Sequence, residues 1–296
     1  MQTERAIERK IEQPPAREVK AAFNNLEVDL EKDHPFLYQR LLELHSEKSS
    51  HFQDAMDMAN IIDRLWSHIS EDRTPEATKN MMLCALLHDI GKSGPTYASQ
   101  SQRDAIRKLF DPSLKCQDAA KSAPQLTINE YIKQVIASPQ DQEQIREELG
   151  EIINESANAR IDLDKEKMID FWRRHVDWTW EILTNNEQGA ITRDVSVIAS
   201  SHHVLDGKNP AQISEQEIPL ESKTIELIDK YQFLTLLDKY QAFRDRSALS
   251  HSAAIEALRK IVSKSILNPK TQKKYLEIIN IFAGAEAMLA EYFKPK

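Results

Sequence analysis

Glycine is the residue that most restricts what this chain can become. Only 6 of its 296 residues are Gly, too few for the repeated positive-φ turns that a fold of many short strands requires. In its place stand Ala, Leu, Glu, Lys, Gln and Ile, side chains that lose little rotamer freedom in a helix. Runs of Val, Thr and aromatics bounded by turn dipeptides, the mark of strands, are few. The sequence therefore predicts an all-α fold.

Helical periodicity divides the chain. Residues 1–35 read as a polar N-terminal extension with helical stretches, interrupted at Pro14-Pro15 and ended by Asp33-His34-Pro35. From Phe36 to Trp66 the pattern is amphipathic, with Phe52, Ala55, Met58, Ala59, Ile62 and Leu65 on one face. A second helix runs from Ala77 to Asp89 and stops at Gly91, the residue suited to a left-handed cap. Residues 93–160 differ: several Pro, many Gln, Asn and Ser, and short helical pieces at Ile128–Ala137 and Gln142–Ala157 predict a helical insertion or lid. Further helices are expected from Asp164 (as N-cap) to Leu183, from Asp194 to His203, and over Ile225–Arg244, Ser252–Ile266 and Pro269–Phe293. Residues 36–296 thus form one expected domain carrying the 93–160 insertion.

Composition removes several functions. A net charge of −8 leaves no basic face for duplex nucleic acid, whose binding depends on neutralising phosphates. No apolar run approaches the roughly 20 residues of a membrane span, and the charged N-terminus has no apolar signal core. The two cysteines, Cys84 and Cys116, make no disulfide or zinc framework, and Cys84 reads as a small buried hydrophobe. A reducing cytoplasm is the expected location.

Histidine carries the chemistry. His88 and Asp89 follow an apolar run and precede Ile90-Gly91-Lys92. An imidazole nitrogen beside a carboxylate suits borderline-hard cations such as Fe, Mn or Zn. Lys92, one turn on, would lie over the same face, where a substrate phosphate would sit. His51 heads an amphipathic helix with Ala55 and Ala59 behind it, and His45 competes with it as the first histidine of the series. His175 stands between Trp172 and Trp178, His202 and His203 are adjacent, and Asp238 closes the series with Asp229 as its competitor. His34, His68 and His251 read as surface or helix-end residues.

Taken in order, these motifs resemble the HD superfamily, and within it the HD-GYP branch. Those proteins are helical bundles that hold metals through His, then His-Asp, then His, then His-His, then Asp. His51, His88-Asp89, His175, His202-His203 (followed by Asp206-Gly207) and Asp238 match that order, and the resemblance spans about residues 36 to 268 without the insertion. It implies two divalent ions, Fe or Mn. A variant with three ions uses a Glu one turn before the first His, where Glu47 stands; a solvated charge is the plainer reading of that residue. Asp89 would bridge the ions, with His51 and His88 on one side, His175, His202 and His203 on the other, and Asp238 completing the ligands of the first ion. Asp89 and Lys92 are the expected catalytic residues, and Lys92, Asp206 and Lys208 the expected substrate contacts.

The sequence also departs from the family. The Glu-Arg pair after the double histidine and the Gly-Tyr of the signature are missing, although Pro210 survives. Gln241 (or Gln232) stands where a second Asp closes the last motif, and the segment around Arg244-Asp245-Arg246-Ser247 is shortened. Metal ligands are kept where substrate-reading residues are altered. The expected activity is a metal-dependent phosphodiesterase acting on a cyclic dinucleotide such as cyclic di-GMP, or on another nucleotide phosphoester. The alternatives are a di-iron oxygenase on the same scaffold, and a degenerate domain that senses a nucleotide without turnover. A second copy of the chain or a regulatory protein is the expected macromolecular partner.

Overall fold

The computed structural model describes residues 14–45, 51–70, 74–111, 123–154, 159–208, 210, 222–245, 247–265, 267 and 269–292. Glu47 and Cys116 lie outside the described residues. The fold is all-α, and the strands among the described residues amount to two antiparallel two-residue segments, Ile153–Asn154 and Ala159–Arg160.

The first five helices are α1 (Pro14–Asn24), α2 (Leu30–Asp33), α3 (Pro35–His45), α4 (His51–Ile69) and α5 (Pro75–Leu87). The stripe expected on α4 is buried throughout, joined by Ile61 and Trp66. Helix α5 starts at a Thr74 N-cap, whose side chain accepts from Ala77 N, with Pro75 in the first turn. From Leu83 to Leu87 every residue is buried, because α5 packs against both α4 and the later α10 (Arg193–Ser200). Val19, Phe23, Leu26, Val28 and Leu30 belong to the same apolar cluster as Leu37 and Leu41. The described part of the N-terminal extension therefore contributes side chains to the main core.

After α5 the chain makes a 3-10 turn, Ile90–Ser93. Gly91 was expected to take a left-handed cap, but the left-handed glycine here is Gly94, with φ of 89°. Gly91 answers a different need, close approach to helix α9 (Met168–Thr184): a Cβ on Gly91 would stand 1.9 Å from the His175 carbonyl oxygen.

The insertion comprises α6 (Gln100–Phe110), a 3-10 turn at Ala123–Gln125, α7 (Ile128–Val135), α8 (Pro139–Gly150) and the short hairpin. Side-chain caps fix its helices: Ser99 and Gln102 form one capping box, and Thr127 and Glu130 another. The segment has a core of its own, in which Ile106, Leu109, Tyr131, Ile132 and Leu149 meet Met168, Phe171 and Trp178 of α9. Helix α9 starts four residues after the expected cap, Asp164. That carboxylate instead accepts from Asn129 Nδ2 at 2.7 Å, and Met168 N donates to the Leu126 carbonyl at 2.8 Å, delaying the helix until the insertion is tied down.

Helix α10 ends at Ser200, three residues before the expected end. The chain then passes through a turn at His202-His203 and a 3-10 turn, Val204–Asp206. The central α11 (Ser222–Asp245) is buried along the whole of Tyr231–Tyr240. Helices α12 (His251–Lys264), α13 (Pro269–Gly284) and α14 (Glu286–Tyr292) close the core, the last two replacing the single helix expected there.

Replacing Gly91 with Ala should destabilise the protein by about 1–3 kcal/mol or more, the range for overpacked sites. Gly150→Ala, where a Cβ meets nothing within 4 Å, should be neutral or slightly stabilising. Urea unfolding midpoints of the two variants test the pair, and equal midpoints would contradict the close-approach account.

Candidate metal centre

Three separate stretches bring the ring nitrogens together. At the end of α5, His88 is the C-cap, and its Nδ1 donates to the Ala85 carbonyl at 2.7 Å. On α9, His175 Nδ1 donates to the Trp172 carbonyl. Just past α10, His202 Nδ1 donates to the Ala199 carbonyl at 2.7 Å. A carbonyl only accepts, so in each ring Nδ1 holds the proton and Nε2 faces the centre. His203 follows the same rule with a different partner, donating Nδ1–H to Asp206 Oδ2 at 2.6 Å. The double histidine was expected on a helix, where neighbouring side chains diverge by about 100°. Both residues lie instead in the turn after α10, which lets their rings approach to 4.6 Å between centroids.

The Nε2 atoms of His175 and His202 are 2.9 Å apart, and ligand atoms of His175, His202 and His203 all lie within 4.8 Å of one another. Asp89 stands between the groups. Its Oδ1 is 3.2 Å from His175 Nε2 and 3.8 Å from His202 Nε2, and its Oδ2 is 3.4 Å from His88 Nε2. Asp238, on α11, places one oxygen 4.0 Å from His88 Nε2 and the other 4.0 Å from His203 Nε2. The competing Asp229 pairs with Lys274 at 3.0 Å instead. His51 is reached through Lys92, whose ammonium donates to Asp89 Oδ2 and lies 3.3 Å from His51 Nδ1. Its competitor His45 pairs with Glu18 at 2.7 Å.

Burial pushes the His175 imidazole below its usual range, against the pull of the Asp89 carboxylate. Burial holds His202 well below that range, reinforced by the neighbouring imidazoles. Both rings are therefore neutral near pH 7, with lone pairs facing each other across 2.9 Å. Burial alone would raise the Asp89 carboxyl, but adjacent His88 and the Lys92 ammonium outweigh it and hold the group well below the usual carboxylate range. Acceptors converge here without enough donors to satisfy them. Such a donor set, imidazole nitrogens with two carboxylates, fits divalent transition-metal ions.

Comparisons with protein families, curated proteins and solved structures find no match.

The remaining expected residues divide. Asp206 was assigned to substrate, yet its Oδ2 accepts both His203 Nδ1 and Lys239 Nζ, each at 2.6 Å. Burial would raise that carboxyl, and the two donors pull it far below the usual range. Lys208 Nζ lies 3.3 Å from Asp177 Oδ2 on α9. His68 is exposed, whereas His34 and His251 are buried at helix ends; His251 Nδ1 is 2.8 Å from the Tyr240 hydroxyl. Sequence reasoning gave no role to Lys239 or to Thr179. Thr179 Oγ1 accepts from Gly91 N and donates to the His88 carbonyl, both at 3.0 Å. Its signal was the Thr one turn after His175. Phe110 of the insertion was also missed: its ring meets His175 edge-on with centroids 5.9 Å apart, and its carbonyl lies 3.1 Å from His51 Nε2.

Asp206→Asn should lower divalent-ion affinity by about 10–100-fold, the usual cost of losing a carboxylate that orients a histidine ligand. Chelator competition with Mn²⁺ measures this; an unchanged affinity would remove Asp206 from the centre. A second expectation concerns pH. Burial holds the imidazoles of His34, His175 and His202 below their usual range in the folded state. Groups depressed in this way stabilise the fold above the unfolded value and withdraw that support as pH falls through it. In chelator, the urea midpoint should therefore drop between pH 7.5 and 5.5. A flat or rising midpoint would contradict the burial of neutral imidazoles.

Proposed function

We propose that the cluster is a two-ion centre and that the protein is a metal-dependent phosphohydrolase of the HD type, acting on a nucleotide-like phosphoester. The observation that carries this reading is the convergence of acceptor groups, with His175 and His202 presenting Nε2 lone pairs 2.9 Å apart beside the Asp89 carboxylate. His175, His202 and His203 with Asp89 Oδ1 would hold one ion. His88, Asp89 Oδ2, Asp238 and His51 would hold the other. Bound there, divalent ions supply Lewis acidity, acidifying a water near neutral pH and drawing charge from phosphoryl oxygens.

The chain's own groups do the rest. Backbone carbonyls of Ala85, Trp172 and Ala199 fix three rings in one tautomer, so no reorientation is needed when a ligand arrives. Asp206 and Lys239 fix the fourth. Phe110 walls the His175 side with an aromatic ring, which keeps bulk water from the imidazoles. Lys92 is the cationic side chain against Asp89, and it would meet a phosphoryl oxygen as a point charge. The resemblance to the HD-GYP branch favours a cyclic dinucleotide or another nucleotide phosphoester as the substrate. The altered residues after His203 and at Gln241 favour changed contacts to the base or sugar of such a ligand.

Asp89→Ala should remove the shared carboxylate, abolish binding of the ion pair and reduce turnover by about a thousandfold or more. Elemental analysis of the purified protein and a turnover panel of cyclic dinucleotides, nucleotides and a generic phosphodiester make the measurement. Wild-type turnover in the Asp89 variant would sink the assignment. Oxygen uptake by the reduced iron form, without hydrolysis, would move the reading to the oxygenase.

A further inference from the structure

We propose that Lys92 is a built-in cation competing with one of the two divalent ions, so that the position at Asp89 Oδ2 and His51 Nδ1 fills second and only by expelling the ammonium. This rests on the two-ion reading above and adds an order of filling to it.

The argument begins with the tautomer of His51. Its Nε2 lies 3.1 Å from the Phe110 carbonyl, which can only accept, so Nε2 holds the proton and Nδ1 the lone pair. His51 thus presents the opposite nitrogen from His88, His175, His202 and His203. What Nδ1 meets is the Lys92 ammonium at 3.3 Å, which also donates to Asp89 Oδ2.

One carboxylate is therefore split between two kinds of neighbour. Oδ1 faces imidazoles, His175 at 3.2 Å and His202 at 3.8 Å. Oδ2 faces an ammonium, with His88 Nε2 at 3.4 Å. An ion approaching the Oδ1 side meets neutral rings already turned towards it. An ion approaching the Oδ2 side meets a positive charge on the oxygen and the nitrogen it must use. The two cations cannot share that place, since unit charges repel strongly at contact distance in a partly desolvated site. Lysine can yield, because its charge rides on a flexible four-carbon stem, whereas Asp89 and His51 are held at the turn after α5 and at the start of α4. The displaced ammonium would stay beside the pair, where an anionic ligand attracts it. Lys92 would then guard the second position while it is vacant and serve as a ligand contact once it is filled.

Calorimetric titration with Mn²⁺, backed by elemental analysis of stoichiometry, tests this on the full chain. Wild type should show one tight and one weaker class of ion. Lys92→Met, which keeps the stem and removes the charge, should tighten the weaker class by about tenfold or more and shift the tight class far less. Lys92→Gln is read in the same way should the Met variant not fold, and Lys92→Arg should keep the weak class weak. Two equally tight classes in wild type, an unmoved weaker class in both neutral variants, or equal tightening of both classes would overturn the proposal while leaving the two-ion reading intact. Failure of wild type to bind any divalent ion would instead overturn the two-ion reading itself.

Discussion

The approach of the Ile90–Ser93 turn to helix α9 governs where the other site residues can stand. Gly91 has no side chain, so its backbone closes on the turn of α9 that carries His175 and Thr179. Thr179 then ties both ends of the gap, accepting from Gly91 N and donating to the His88 carbonyl. These two hydrogen bonds are buried, where an unmade partner is costly. They fix Asp89, between His88 and Gly91 in sequence, against the ring of His175. Without that contact the α5 and α9 halves of the cluster would have no shared centre.

Around this contact the protein uses one repeated device. Each ring at the centre has its far nitrogen committed, three to carbonyls of the preceding turn and one to a carboxylate. Two of these carbonyls, Ala85 and Ala199, lie in the last turns of α5 and α10, where helix ends must satisfy their last acceptors anyway, whereas Trp172 lies within α9. His203 differs in committing its Nδ1 to a side chain. Asp206, three residues on, takes the role, and Lys239 balances its charge.

Much of the fold was legible in the sequence because helix propensity and apolar periodicity pointed the same way. The α4 stripe and the buried run of α5 are examples. Helix ends were less legible. Asp164 has the chemistry of a cap, yet Asn129 takes its carboxylate, a contact 35 residues away in sequence. Gly91 and Gly94 could not be told apart by local rules, since the need for Gly91 comes from α9. Most of the expected metal ligands do converge, with His51 joined through Lys92 and Glu47 outside the described residues. Their order along the chain was informative because adjacent His-Asp and His-His pairs rarely serve a core. The pairing of Asp206 with His203 was not legible, because sequence shows a carboxylate beside a loop and not the histidine it turns back to orient.

The insertion has a consequence through Arg40. This buried guanidinium, which burial lowers to about 10, crosses from α3 to donate to the Ser93 and Pro95 carbonyls at 2.9 and 2.8 Å. Nearby Glu43 accepts Arg103 of α6 at 3.0 and 2.8 Å. The strap joining the His88-Asp89 turn to the insertion is therefore pinned at both edges by charges that water does not reach. Lifting α6 would take Arg103 and Arg107 from the buried Glu43 carboxylate and leave it with Arg40, 4.0 Å away. The segment is thus a brace, and trimming it would disturb the floor of the histidine cluster as well.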